Sequence, residues 1–111
     1  MRTYPRVRRA TSFWSRLRGV GFNVTWGEFD ALCLPRCRAV HTVGLSRPID
    51  IAFVSADGVI LELRCRVPPW RFVTTLDSKA IDTWEFPAGT CEHYGATPGM
   101  LIDVLLQPGG S

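Results

Sequence analysis

The stretch 49–67 constrains the fold more than any other part of this chain, because it predicts a β-hairpin. Two runs rich in β-forming residues, 49–55 and 59–67, flank the dipeptide Asp57-Gly58, which is typical of tight turns. A two-residue turn would place apolar side chains of the first strand opposite charged side chains of the second. A three-residue loop over 56–58 shifts the pairing by one residue and needs a left-handed backbone at Gly58, which glycine adopts readily.

The three-residue loop predicts a definite register. Burial of one complete apolar face favours it. On the other face it sets Val54 opposite Ile60 and Asp50 opposite Arg64, so we expect a cross-strand ion pair between the latter two. The predicted apolar pairs are Phe53 with Leu61, Ile51 with Leu63, and Ile49 with Cys65.

Periodicity predicts shorter elements on either side of the hairpin. A strand is expected over 31–34, and extended structure over 37–43 resumes after the interruption at Pro35. Residues 72–80 are expected to be a long connection between strands. One short helix is predicted from Ala10 and a second over 88–94. The remaining predicted strands are 81–86 and 100–106.

Positive charge is concentrated at the beginning of the chain. Residues 1–20 hold six arginines and no acidic residue, whereas residues 21–111 hold seven basic and ten acidic residues and carry a net charge of −3. A basic segment of this kind contacts nucleic acid or an anionic membrane surface, or is a solvated arm. No nucleic-acid-binding motif accompanies it, so nucleic acid is not the partner we expect. We predict a flexible basic arm over 1–10, a single domain over 11–107 and a flexible tail over 108–111.

Length and cysteine content bound the class of protein. A chain of 111 residues forms one domain with an adequate core. No apolar run approaches the roughly 18 residues of a membrane span, and the N-terminal charges lack the apolar stretch of a secretion signal. We therefore expect a monomeric cytoplasmic protein whose four cysteines are reduced thiols rather than a disulfide framework.

Three stretches occur together in an order that is similar to one known family. They are HTVGLSRPIDIAFVSADG at 41–58, PPWR at 68–71 and EFPAGTCEHYGATPG at 85–99. With them the chain resembles, over about residues 11–104, the bacterial and archaeal family called domain of unknown function 192. The resemblance implies a β-rich α+β domain, with an antiparallel or mixed sheet curled like a barrel and two short helices. It implies no established activity, but related genes often lie near surface or pilus-assembly systems, which implies a partner in assembly.

Five polar residues are candidates for lining a small pocket: His41, Thr42, Asp50, Arg71 and Glu85. Our first hypothesis is a non-enzymatic binding or accessory module whose pocket meets a small ligand or a protein partner. The alternative is a small hydrolase-like enzyme that uses His41 with Asp50 or Glu85, because a histidine beside a carboxylate suits acid–base catalysis. No nucleophile motif accompanies these residues. They also suit a structural role, in which they satisfy backbone groups.

The cysteines make only a weak case for a metal. Cys33, Cys37 and His41 are spaced four residues apart, and Cys65 is the nearest residue that could complete the four ligands of a zinc site. Pro35 breaks the strand between the first two. We therefore expect buried thiols that pack as small apolar groups, with no metal and no cofactor.

Two loops are further candidates for contact sites. The Pro-Trp-Arg segment 69–71 either forms a recognition edge or lets Trp70 seal the end of a barrel. The corner 87–90 presents backbone N–H groups at a helix start, and these either bind an anion or are capped by Thr90. In each case we expect the second, structural role.

Overall fold

A computed structural model of the protein describes the backbone of residues 7–9 and, with their side chains, residues 31–43, 45 and 47–106. The helix predicted from Ala10 and the tail 108–111 lie outside the described residues, as does most of the predicted arm. The described elements, in chain order, are β1 (Val7–Arg9), β2 (Ala31–Leu34), β3 (Ala39–His41), β4 (Ile49–Ser55), β5 (Ile60–Val67), β6 (Phe72–Thr74), β7 (Ala80–Pro87), α1 (Thr90–Tyr94) and a 3-10 helix (Ile102–Leu106).

The described strands form an open five-stranded sheet and a separate two-stranded ribbon. The sheet has the order β1-β2-β7-β4-β5, and β3 pairs with β6 in the ribbon. β1, from the predicted arm, runs parallel to β2, and the other pairs are antiparallel. The β-rich α+β class is confirmed, but the barrel-like curl is wrong, since β1 and β5 remain the edges of the sheet among the described strands. Layers on both faces bury the apolar side chains, so closure into a barrel is not needed.

Burial of β4 on both faces explains this layered arrangement. Each residue of β4 except the last is buried. The odd-numbered apolar residues of β4 pack in one cluster with Val40 and Val73 of the β3–β6 ribbon. Ala52 and Val54 pack in a second cluster with Cys91 of α1 and with the 3-10 helix. The ribbon therefore covers one face of the sheet, and the two helices cover the other.

The β4–β5 hairpin keeps the predicted loop but not the predicted register. Val54 lies opposite Ile60, and Gly58 has a φ of 82°, as the three-residue loop requires. An irregularity then shifts the pairing by one residue. The register prediction is wrong because it assumes one buried face, whereas both faces of β4 are buried and the charged side chains of the edge strand β5 reach solvent. The shifted pairs are Phe53 with Glu62, Ala52 with Leu63, and Ile51 with Arg64.

The shorter elements agree with the sequence in part. β2, β7 and α1 confirm the predicted strands over 31–34 and 81–86 and the predicted second helix. The strand predicted over 100–106 is wrong. Ile102 and Leu105 are buried three residues apart in a 3-10 helix, whose turn aligns side chains at that spacing. The extended segment shortens to β3, and β6 occupies part of the predicted long connection.

Candidate functional site

Asp50 is a buried carboxylate that accepts three backbone hydrogen bonds. It is fully buried, with 0% of its surface exposed. Its Oδ1 accepts from the N–H of Arg66 at 2.8 Å. Its Oδ2 accepts from the N–H groups of Gly89 at 3.1 Å and Cys91 at 2.9 Å. One carboxylate thus joins the inner strand β4, the edge strand β5 and the start of α1.

Irregular backbone at two places directs these N–H donors toward Asp50. A bulge in the β4–β5 pairing sets Cys65 and Arg66 opposite Asp50, and a φ of 54° at Arg66 turns the backbone out of the regular ladder. Gly89 has a φ of 93° and supplies no side-chain cap to α1. The first N–H groups of a helix need an acceptor, and Asp50 provides it from a distant strand.

Two sequence-based predictions about these groups are therefore wrong, and the alternative of an anion site is excluded. Arg64 pairs with Glu62 at 2.6 Å rather than with Asp50, because the bulge moves it out of register. The Thr90 hydroxyl donates to the Pro87 carbonyl at 2.7 Å and does not cap α1. The N–H groups of the 87–90 corner are also no free anion site, since the carboxylate of Asp50 occupies them.

Two cysteines stand beside Asp50 at a small pocket, which we call the thiol pocket. It has a volume of about 210 Å³ and is lined by Asp50, Cys65, Arg66 and Cys91, among others. Cys65 is exposed and Cys91 is buried. The ligand atoms of the carboxylate and the two thiols all lie within 4.8 Å of one another. Burial and the nearby Asp50 charge raise the pKa of the Cys65 thiol and of the Cys91 thiol, so both stay protonated near neutral pH.

A second polar centre lies at Thr42, at the end of β3. Its buried hydroxyl donates to the Pro68 carbonyl at 2.7 Å and accepts from the N–H of Arg71 at 2.8 Å. Its backbone N–H donates to the Arg71 carbonyl at 2.8 Å, and its carbonyl accepts from the N–H of Trp70 at 3.1 Å. Thr42 therefore fixes the whole proline-rich segment 68–71 against the ribbon.

Next to Thr42 the chain presents an exposed aromatic edge, which consists of Trp70, Arg71 and Phe72. Trp70 is 68% exposed and Phe72 is 85% exposed. Trp70 also has a φ of 66°, a left-handed conformation that is strained for a bulky residue. The ring of His41 lies 6.1 Å from that of Phe72 between centroids. The prediction that Trp70 seals the end of a barrel is wrong, because its side chain is mostly exposed.

The five predicted pocket residues fall in three places. His41, Thr42 and Arg71 come together at the ribbon, where His41 pairs with Phe72. Asp50 lies opposite Phe86 of β7, on the face that α1 covers. Glu85 is fully buried and lies opposite Ile51, so it projects toward the other face, which the ribbon covers. The two carboxylates are thus separated by the sheet.

Sequence reasoning missed the thiol pocket, because Cys65 and Cys91 are far apart in the chain. A signal was present nevertheless. Asp50 is the one charged residue of β4, and a buried carboxylate needs donors. Gly89, at the start of α1, has no side chain that could accept from the first N–H groups of the helix. Because the carboxylate needs donors and the helix start needs an acceptor, the two together predict a contact between Asp50 and the start of α1.

A known protein family matches most of this chain. A family model, DUF192, described as "Uncharacterized ACR", matches residues 2–104. No protein with a curated description matches the chain. In the part of the chain that the structure describes, no helix has the length and apolar character needed to cross a membrane.

Two solved structures share the fold. A protein of unknown function from Novosphingobium aromaticivorans DSM 12444 superposes with a TM-score of 0.72 at 17% identity, covering 84% of this chain and 70% of that one. A protein described as a putative transcription regulator from Sinorhizobium meliloti 1021 superposes with a TM-score of 0.71 at 20% identity, covering 84% of this chain and 76% of that one. At these identities the likeness extends to the fold alone.

Proposed function

The chain belongs to the DUF192 family, and from that premise we propose that it is a non-enzymatic binding module for an acidic, partly apolar segment of a partner protein. The observation that carries the proposal is the aromatic edge. Trp70 and Phe72 are both mostly exposed, and tryptophan beside arginine is the composition most enriched at the energetic centres of protein interfaces.

The edge is held rigidly before any partner arrives. The four hydrogen bonds of Thr42 fix the backbone at Pro68, Trp70 and Arg71. An ordered aromatic side chain on a fixed backbone loses little conformational entropy on binding. The left-handed backbone at Trp70 is strain that the surrounding bonds maintain, which supports a functional reason for the exposed ring.

Charge around the edge favours an acidic partner. Residues 36–49 and 67–76, which include the ribbon, contain four arginines and no acidic residue. Arg36, Arg38, Arg47 and Arg71 are all exposed. A carboxylate-bearing segment with apolar side chains would pair with these guanidinium groups while it covers Trp70 and Phe72.

One carboxylate of the enzyme hypothesis, Asp50, is engaged in structural bonds, and the sheet separates it from the other, Glu85. Asp50 accepts three backbone N–H groups. The raised pKa values of the Cys65 and Cys91 thiols oppose a nucleophilic role, because catalytic cysteines need a lowered pKa. These contacts support a binding role over hydrolysis.

A random peptide library displayed on phage tests the proposal. We expect the full chain to select peptides that combine Asp or Glu with apolar residues. Trp70→Ala should weaken the binding of those peptides by at least about 30-fold, which is the effect of losing a central interface residue. Leu101→Ala is the matched control, because Leu101 is also an exposed apolar residue but lies beyond the hairpin loop, next to Val59.

Three outcomes would overturn the proposal. The first is that the wild-type protein selects no peptide more strongly than the Trp70→Ala protein does. The second is that a labelled single-stranded oligonucleotide binds more tightly than the selected peptides and that Trp70→Ala abolishes this binding, which would assign the edge to nucleic acid. The third is hydrolysis of nitrophenyl esters or phosphates that disappears in His41→Ala, which would restore the enzyme hypothesis.

A further inference from the structure

We propose that Asp50, Cys65 and Cys91 bind a Zn²⁺ ion in the thiol pocket, with its fourth coordination position open to solvent. This inference is independent of the partner-binding edge. The three side chains are the one group of potential metal ligands that the described part of the chain brings within 4.8 Å. They come from β4, β5 and α1, so the fold rather than sequence proximity assembles them.

The donor set suits zinc. Two thiolates and one carboxylate are ligands of Zn²⁺, whereas Mg²⁺ and Ca²⁺ prefer oxygen alone. A tetrahedral ion with Zn–S bonds of about 2.3 Å needs neighbouring sulfur ligands roughly 3.8 Å apart. The present separations, all within 4.8 Å, reach that value through side-chain rotations.

Asp50 is oriented for this role by its backbone contacts. An ionised carboxylate offers about four lone-pair positions, and the N–H groups of Arg66, Gly89 and Cys91 use three of them. The Cys91 thiol lies within 4.8 Å of both the Asp50 carboxylate and the Cys65 thiol. A cation would replace the thiol protons in this chain of contacts, while the N–H groups keep the carboxylate in place as outer-shell partners do in known sites.

The pocket also supplies access and space. Cys65 lies exposed at its rim and Cys91 is buried, so an ion enters from the side of β5. The volume of about 210 Å³ accommodates a water molecule or a small ligand on the ion. On binding, two S–H bonds are replaced by two Zn–S bonds and the two protons pass to solvent, with no change of oxidation state.

The test uses reduced, metal-free full-length protein titrated with Co²⁺, a spectroscopic substitute for Zn²⁺. We expect one ion per chain, a thiolate-to-cobalt charge-transfer band and displacement by Zn²⁺. Cys65→Ser and Cys91→Ala should each weaken binding by more than the about 10- to 100-fold that loss of an outer-shell partner produces. Cys37→Ser is the matched control, because that thiol donates to the Ala39 carbonyl and does not line the pocket.

A second readout keeps the result independent of spectroscopy. Zn²⁺ should raise the urea midpoint of the wild type and of Cys37→Ser but not that of Cys65→Ser, because a ligand that binds only the folded state stabilises it. Since Cys65 is exposed, its replacement by serine leaves the core intact. The proposal is overturned by a missing charge-transfer band or by a Cys65→Ser protein that binds as tightly as the wild type. A phage-display result at the aromatic edge is unaffected by either outcome.

Discussion

Replacement of Asp50 by asparagine measures how much the buried carboxylate stabilises the fold. Asparagine has the same shape, but its NH₂ group must face one of the three N–H donors, so at least one bond is lost. The other two change from charged to neutral acceptors. A hydrogen bond to a charged group contributes about 1.5–3 kcal/mol and a neutral one about 0.5–1.5 kcal/mol. Asparagine also removes the cost of burying a charge, which offsets part of this loss. We therefore expect Asp50→Asn to destabilise the protein by about 2–4 kcal/mol.

Urea unfolding followed by tryptophan fluorescence measures this loss. A chelator and a reductant are included so that metal binding and thiol oxidation do not contribute. With a slope of about 1.5 kcal/mol per molar urea, the midpoint should fall by roughly 1.3–2.7 M at unchanged slope. The total stability of a domain is usually about 5–15 kcal/mol, so the variant is expected to remain folded in water.

Asp57→Asn provides the control for the same chemical change. Asp57 is exposed in the hairpin loop, where asparagine is equally suitable, so the change should be within about 0.5 kcal/mol. If Asp50→Asn is as mild as this control, the carboxylate does not hold β5 and α1 together, and the reasoning from its three bonds is refuted.

Three other substitutions test separate contacts by the same unfolding assay. Thr42→Val should cost about 1–3 kcal/mol, because two backbone groups lose their hydroxyl partner, and Thr42→Ser should restore most of it. Gly58→Ala should cost about 1–2 kcal/mol through its left-handed φ of 82°, since the nearest atom to a Cβ there is 3.8 Å away; an unchanged midpoint would contradict this. The Thr75 hydroxyl is the main cause that lowers the pKa of Glu62 from 4.5. The stabilisation that the ionised Glu62 gives the folded state is thus present above about pH 4.5 and is lost as the pH falls through the lower folded-state pKa. Thr75→Val should remove this contribution, so that the urea midpoint falls less steeply between about pH 5 and pH 3.

The sequence predicts the local features of this fold better than the long-range ones. The strands β2 and β7, the loop at Gly58 and the helix α1 follow from nearby turn and periodicity signals. The register of β4 against β5 fails, because a strand buried on both faces carries no alternation to fix it. The strand prediction for the 3-10 helix fails for a related reason, since a short apolar run fits several kinds of structure.

In the candidate site, too, the sequence predicts local contacts better than long-range ones. Of the five residues predicted to line one pocket, the ribbon brings only His41, Thr42 and Arg71 together. The bond pattern of Asp50 depends on a bulge and on a helix start 41 residues away, which pattern reasoning does not connect. The exposure of Trp70 is equally non-local, because it depends on a fixed backbone beside Thr42 rather than on the hydrophobicity of the ring.

The strand order of the main sheet has a consequence for synthesis of the protein. β7 lies between β2 and β4 in the sheet, although it is the last of the described strands to be synthesised. The β4–β5 hairpin can form early from neighbouring residues. The strand β2, whose four residues are buried, has β1 along one edge, but its other edge must wait for a partner that begins at residue 80. Nascent chains that stop before β7 should therefore aggregate through β2, and light scattering of a chain truncated after residue 79 measures this.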